Sequence, residues 1–436
     1  MNAFTYVITT RDRPDAVRNC INSLEIAHAS AFPECQAKCI VIDDSTNQVV
    51  SDEMKNRLMR DARNKSLAVY IIGNTFQRKT LDGLRIALKP YENYINKTFR
   101  ALGTGNWDHA GSSNFARLFS YSFLSTDEKI LFLDDDIVFS SQSCNEHYLK
   151  IDGKNALTQL HNSISNNNGV LSGTPYLGRT DLSVLEHIFF LLIQLRDHPE
   201  FIETSLNLIT EFPETLPIHI TLSEQDDDPS LPKGPGEISG AVLAVNNSML
   251  SSHGMINCYN EDWIWILLHG RKNKKIYKCD IPLLHCPPSQ KKISFEFMVY
   301  QEIGEIIFES IVSAIDEAPE EADCLEWLRS NYKISHLENA ITDELLDIDL
   351  LIKKSMAVLD EVNIDKTKKD FLRIQVLRSI DFVLDVSNHI RRLEPVNFYN
   401  DVCAYFLSAK SWRAVLQASK DISNSLIDEL EKSRVI

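Results

Sequence analysis

Residues 130–139, ILFLDDDIVF, run four large apolar side chains straight into three consecutive carboxylates. The apolar half reads as a short strand buried on both faces. Three carboxylates at such a strand end repel one another and lose hydration. A divalent cation neutralises a group of this kind, and oxygen ligands suit Mg²⁺ or Mn²⁺. In extended chain, residues i and i+2 point the same way. Asp134 and Asp136 are therefore expected to share one face, with Asp135 turned away or bonded locally. The plain alternative is a solvated strand-to-loop turn. A second triplet, Asp226 to Asp228, follows no apolar strand and precedes Pro229, so it is read as such a loop.

Working outward, FTYVIT at 4–9 is a β-branched and aromatic run, the first strand. Pro14 suits the first turn of a helix, and Val17, Cys20, Ile21 and Leu24 follow on one helical face. CIVI at 39–42 is a second strand, ending in Asp43-Asp44-Ser45, and LAVYIIG at 67–73 is a third. Before ILFL, Phe115, Leu118, Phe119 and Phe123 share one face of a helix. Strands alternating with helices predict an α/β fold: a doubly wound, Rossmann-like, mostly parallel sheet with helices on both faces. Ligands of such sheets bind outside the carboxyl ends of the strands. Both acidic clusters fall there.

Beyond the fourth strand, residues 150–225 read as a helical insertion, with VLSGTP at 170–175 as a strand. DDDPSLPKGPG at 226–236 is a turn-rich break. ISGAVLAVN at 238–246 and IYKCDIPLLH at 276–285 read as further strands. From residue 293 glycine is nearly absent, and Ile303, Ile306, Ile307 and Ile311 mark one helical face. The expected organisation is an α/β domain over 1–292 and a helical C-terminal domain over 293–436.

The chain has 436 residues, 44% of them hydrophobic, enough for a core without staples. Its nine cysteines are odd in number and form no CxxC pair, which reads as free thiols in a reducing compartment. The opening MNAFTYVITTRDRP has no leader pattern, and the apolar run IFFLLIQL at 188–195 is too short to span a bilayer. A soluble, cytoplasmic protein is expected. The net charge of −16 argues against nucleic acid as a partner and against a polybasic membrane surface.

The motif order as a whole resembles the GT-A fold of nucleotide-sugar glycosyltransferases, above all its large inverting family. TTRDRPDAVRNCINSL at 9–24 resembles that family's opening strand, turn and helix, with Asp12-Arg13-Pro14 where Asn-Arg-Pro is usual. VIDDST at 41–46 resembles the acidic pair that contacts base and ribose, and GSSNFARLFSYSF at 111–123 the helix before the metal motif. LFLDDD resembles the DxD motif itself, and YNEDWIWILLHG at 259–270 the Glu-Asp acceptor-site motif. The resemblance covers the first 290 residues, by motif order. The spacing at 111–113 and the long stretch between Asp136 and Glu261 depart from the pattern.

The resemblance implies roles for particular residues. Thr9, Arg11, Asp43, Asp44, Asn114, Arg117, Asp134, Asp135 and Gly240 would surround the donor, a UDP-sugar by preference. Asp134, Asp136 and His285 would hold Mn²⁺ or Mg²⁺. Asp262, beside Glu261, would be the base that takes the acceptor proton, its pKa raised by Trp263 and Trp265. Each has a plain alternative. Asp43 could be a turn residue. Glu261 and Asp262 suit the first turn of any helix. Arg117 could lie on a helix surface, and Gly240 could mark a bulge. The acceptor is open: a glycan, a lipid-linked molecule or a polypeptide. The apolar stripes of the tail suit a core, a homodimer interface or an acceptor-docking surface. Nucleotidyl transfer competes, but TTRDRPD lacks the glycine-rich loop that chemistry uses. A non-catalytic binding or scaffold module on a degenerate sheet also competes, and would show no metal-dependent nucleotide affinity.

Overall fold

The computed structural model describes residues 4–61, 66–99, 109–140, 151–166, 171–174, 176–178, 184–199, 240–270, 276–286, 294–319 and 322–435. In chain order the strands are β1 (Thr5–Thr10), β2 (Ala37–Asp43), β3 (Leu67–Ile72), β4 (Lys129–Asp134), β5 (Ile137–Val138), β6 (Leu171–Gly173), β7 (Tyr176–Gly178), β8 (Val242–Asn246), β9 (Ile276–Lys278) and β10 (Leu283–His285). The first helices are α1 (Pro14–Ala31), α2 (Gln48–Asp61), α3 (Asn74–Ala87), α4 (Glu92–Thr98), α5 (His109–Phe123), α6 (Gly153–Asn166), α7 (Val184–Asp197) and α8 (Glu261–Gly270). The C-terminal helices are α9 (Phe295–Asp316), α10 (Cys324–Asn331), α11 (Ile334–Glu361), α12 (Lys366–Ile390), α13 (Pro395–Leu407) and α14 (Ala409–Lys432).

Seven strands form one sheet in the order β3-β2-β1-β4-β8-β6-β9. The first four are parallel, and β8 runs antiparallel between β4 and β6. A smaller sheet has the order β5-β10-β7. With its flanking helices and C-terminal helical region, this is the mostly parallel, doubly wound α/β architecture expected from the sequence. The strands are apolar throughout because both faces are covered. Alternation divides each between two cores. Tyr6, Ile8, Leu131 and Leu133 join Cys20 and Leu24 of α1 and Leu157 of α6 on one side. Val7, Ile130 and Phe132 join Leu84 of α3 and Phe115 and Phe119 of α5 on the other. Pro14 opens α1 at a position whose N–H would have no helical acceptor.

Three sequence expectations change. IYKCDIPLLH is not one strand: β9 pairs with β6 in the large sheet, while β10 joins the small one. The break includes Pro282, which has no N–H for a ladder. The insertion contains α6, α7 and, within VLSGTP, the strand β6 as expected, and a further strand, β7, lies between the helices. The rest of the insertion, residues 200–225, and the break at 226–236 with Asp226 to Asp228 lie outside the described residues. Seven cysteines are free, whereas Cys286 is disulfide-bonded, and Cys144 lies outside the described residues. An odd count and the lack of CxxC do not exclude one bridge, so the all-thiol reading is corrected at Cys286. Among the described residues no helix is long and apolar enough to cross a membrane.

The core does not stop at residue 293. Trp412, Val415 and Leu416 of α14 sit in the same apolar cluster as Val7 and Phe119. Trp412 Nε1 donates to the Leu250 carbonyl at 2.8 Å. Past α14 the backbone runs beside β3: Ile71 N–H donates to Ser433 O at 3.0 Å and Val435 N–H to Val69 O at 2.8 Å. The open edge of the sheet is thereby covered. A third core joins Ile188, Leu192 and Leu195 of α7 to Ile264 and Leu268 of α8 and to Ile306, Ile311, Leu359 and Val376 of the tail. The apolar run at 188–195 is therefore a packing face, and much of the tail's apolar stripe is buried within the chain.

Trp412→Ala should cost about 3–5 kcal/mol, the range for a buried tryptophan. Thermal unfolding should still show one transition, shifted to lower temperature. A second transition that alone moved would instead mark the tail as an independent domain.

Candidate active site

Parallel register brings three strand ends together. Thr9 lies opposite Asp134, and Thr10 opposite Asp43. Three turns leave this edge, and each carries acids.

After β4 the chain turns at once. Asp134 is the last strand residue, and Asp135 and Asp136 form a turn before β5. The extended backbone ends at Asp134, and the hydrogen bonds of the turn join Asp135 and Asp136 through one arginine. Asp135 and Asp136 are both buried and share one cation. Arg13 Nη1 donates to Asp135 Oδ1 at 3.0 Å and to Asp136 Oδ2 at 3.1 Å. Thr10 Oγ1 donates to Asp135 Oδ2 at 2.6 Å. His285 Nε2, at the end of β10, stands 3.2 Å from Asp136 Oδ1. The neighbouring Cys286 N–H holds the Asp136 carbonyl at 2.7 Å.

Burial and the adjacent Asp136 push the Asp135 carboxyl up to about 7, against the pull of Arg13 and Thr10. Burial also works against the Asp136 charge, but His285 and Arg13 outweigh it and hold that group well below the usual carboxylate range. Neither Arg13 nor Thr10 was singled out by sequence. The available signal was Pro14, which fixes the start of α1 and leaves Arg13 at the turn facing the strand ends.

After β2, Asp43 is 1% exposed, and its Oδ1 accepts from the Ser45 amide at 3.0 Å and from the Ser45 hydroxyl. Its Oδ2 has no hydrogen-bond partner. Asp44 lies 3.9 Å from Arg11 and accepts from Ser112 Oγ at 3.4 Å. The facing turn is pinned by Asp12, in the left-handed region at φ 54°, whose carboxylate receives Thr46 N–H at 2.8 Å.

Glu261 and Asp262 open α8, preceded by Asn260 at φ 63°. Gly240 is in contact with Asp262. A β-carbon built on Gly240 would fall 1.3 Å from Asp262 Oδ2, so only glycine fits. The next residue, Ala241, accepts the Asp134 N–H at 3.0 Å. One backbone step thus separates the residue bonded to Asp134 from the residue touching Asp262. Both acidic motifs, 128 positions apart by their numbering, belong to one edge.

Arg117 sits behind them. It is 4% exposed and lies over the rings of Phe132 and Trp265, 4.9 Å from each centroid. Burial lowers its pKa to about 10, against the supporting charges of Glu261, Asp262 and Asp134. It remains a cation at neutral pH. Trp265 is turned inward onto this arginine and is fully buried. Asn114, expected at the donor, has its amide on the Met255 backbone, donating at 3.1 Å and accepting at 2.7 Å. That pair ties α5 to the segment before α8, a bracing role that the sequence reading did not assign to it.

Among the described residues no group of three or more His, Cys, Asp or Glu side chains converges as a metal cage. Asp136 and His285 meet as a pair.

Gly240→Ala should force the Asp262 carboxylate aside and lower stability by about 1–3 kcal/mol, the usual cost of overpacking. The melting temperature reports it. An unchanged melting temperature would mean that Gly240 and Asp262 are not in contact.

No protein-family profile matches the chain, and no curated protein matches it. Among solved structures it is similar to the apo WbbM bifunctional glycosyltransferase, at 13% identity and a TM-score of 0.27, over 62% of this chain and 35% of that one. It is also similar to the galactosyltransferase LgtC in complex with donor and acceptor sugar analogs, at 12% identity and a TM-score of 0.24, over 56% of this chain and 59% of that one. The chain spans less than two thirds of either protein, and likenesses this loose carry no argument about the reaction.

Proposed function

We propose that this chain is a glycosyltransferase that moves a sugar from a nucleoside-diphosphate donor to an acceptor hydroxyl, with inversion. The observation that carries the reading is the Asp134–Ala241 and Gly240–Asp262 contact pair. It sets a charge-compensated acidic turn beside a second carboxylate at the carboxyl edge of a doubly wound sheet. That arrangement supports group transfer between two bound substrates, with one polar centre for each partner.

In this reading the donor lies along the ends of β1, β2 and β4. Asp43 and Asp44 face the nucleoside, and Thr9 and Arg11 border it. The diphosphate lies at the turn of Asp134 to Asp136, where Arg13 supplies a guanidinium that matches phosphate oxygens. Asp262 takes the acceptor proton as the acceptor oxygen bonds to the anomeric carbon and the bond from that carbon to the diphosphate oxygen breaks. Glu261 and Arg117 fix the charge around Asp262, and Gly240 leaves room for it.

The residues present fit a divalent ion of the Mn²⁺ or Mg²⁺ class. Asp136 and His285 provide one oxygen and one nitrogen donor within reach of each other. Such ions take few protein ligands and complete their shell with water and substrate phosphates. Bound there, the ion would supply Lewis-acid stabilisation of the leaving diphosphate.

Asp262→Asn should lower the transfer rate by about 10²–10⁴, the range for loss of a general base, with the donor KM little changed. Product anomer analysis of the wild type should show inversion. Retention of configuration together with a near-normal Asp262→Asn rate would remove Asp262 as the base. A wild type that neither transfers nor hydrolyses any nucleotide sugar would favour a binding module.

A further inference from the structure

β3 lies at one edge of the large sheet. It is six residues long, LAVYII, and buried along its whole length. Proteins usually blunt such an edge with a charge, a proline or a bulge, or keep it very short. β3 has no charged residue and no proline. Its register with β2 is unbroken from Leu67 to Ile72, so it has no bulge. Its protection is the segment that follows α14. Arg434 stands opposite Tyr70 in antiparallel sense. Among the described residues two backbone hydrogen bonds make the contact, Ile71 N–H to Ser433 O and Val435 N–H to Val69 O. Val435 adds a partly buried side chain against the core that holds Tyr6 and Ile8. β2, on the other side of β3, makes six registered pairs. α14 itself is anchored elsewhere, by the buried Trp412, Val415 and Leu416 and by the Lys79–Glu429 ion pair near its end. A three-residue segment held this lightly can open while the sheet and α14 stay folded.

We infer that residues 433–435 are a releasable strap over a pairing edge, and that the partner this edge fits is a second copy of the chain, joined β3 to β3. The hydrogen-bond pattern carries the inference. The strap offers a carbonyl to Ile71 N–H and an N–H to Val69 O, one on each side of Tyr70. A second β3, related by a two-fold axis and therefore antiparallel, offers the same two groups in the same places. Ile71 N–H would donate to the partner's Val69 O, and the partner's Ile71 N–H to Val69 O. Tyr70 would meet the partner's Tyr70 as an aromatic cross-strand pair. The edge is thus complementary to itself. The strap ends the sheet instead, because its central residue is the exposed Arg434, and a charge there discourages a further strand. Strap and second copy compete for the same main-chain groups, so opening of the strap governs association.

Sedimentation velocity over a concentration series tests this, with the full chain and a variant that ends at Lys432. Only chains with an open edge can pair, so removing the strap should tighten dimerisation at least ~10-fold. Amide hydrogen exchange locates the interface. In the full chain the Ile71 N–H should be protected by Ser433 O. In the shortened chain it should exchange freely when dilute and regain protection as the dimer forms. A shortened chain that associates no more tightly than the full chain would overturn the inference. So would a dimer in which the Ile71 N–H still exchanges freely, since its interface would lie elsewhere. Should the shortened chain fail to fold, Val435→Pro in the full chain decides by the same two readings, because it removes the N–H that Val69 O accepts.

Discussion

Negative charge at the carboxyl edge of the sheet is held in place by two guanidinium groups. Arg13 reaches from the start of α1 to clamp Asp135 and Asp136 together. Arg117 lies buried between Phe132 and Trp265 in the field of Asp134, Glu261 and Asp262. Taking carboxylates out of water is costly unless opposite charge and hydrogen bonds accompany them. Without these cations the turns could not stay buried. The positions of the acids thus depend on how α1 and α5 pack on opposite faces of one sheet.

The C-terminal helices enter the same chain of support. Ile264 and Leu268 of α8 face the tail core, while Trp265 and Ile266 face the core beside the sheet. Tyr405 of α13 donates to Gly254 O at 3.0 Å, just ahead of α8. The helix that carries Glu261 and Asp262 is therefore held from both sides, and the tail helps to set where the second carboxylate stands. Covering β3 with residues 433–435 closes the sheet edge by the same packing.

The sheet was legible in the sequence because its signal is local. A buried strand of four to six apolar residues and a helix face repeating at three and four residues each leave a pattern within a short window. Val17, Cys20, Ile21 and Leu24 all face the core as their spacing requires. The acidic turns were legible as positions, since strand ends follow from strands. Their pairing was not. Asp135 and Asp136 share Arg13 because the strand gives way to a turn directly after Asp134. Arg13 and Thr10 act across turns that only the folded register brings together. The place of α14 was hidden for the same reason: Trp412 and Leu416 look alike in sequence whether they pack on a neighbouring tail helix or on the sheet.

The central claim is that the charge-compensated turn at Asp134 to Asp136 receives the diphosphate of a nucleotide. Calorimetry of a nucleoside diphosphate with the wild type and with Asp136→Ala, in Mn²⁺ and then in EDTA, addresses it most directly. The account predicts saturable binding in Mn²⁺ that weakens sharply in EDTA and in the variant. Binding of equal strength in all four conditions, or no binding in any, would contradict it.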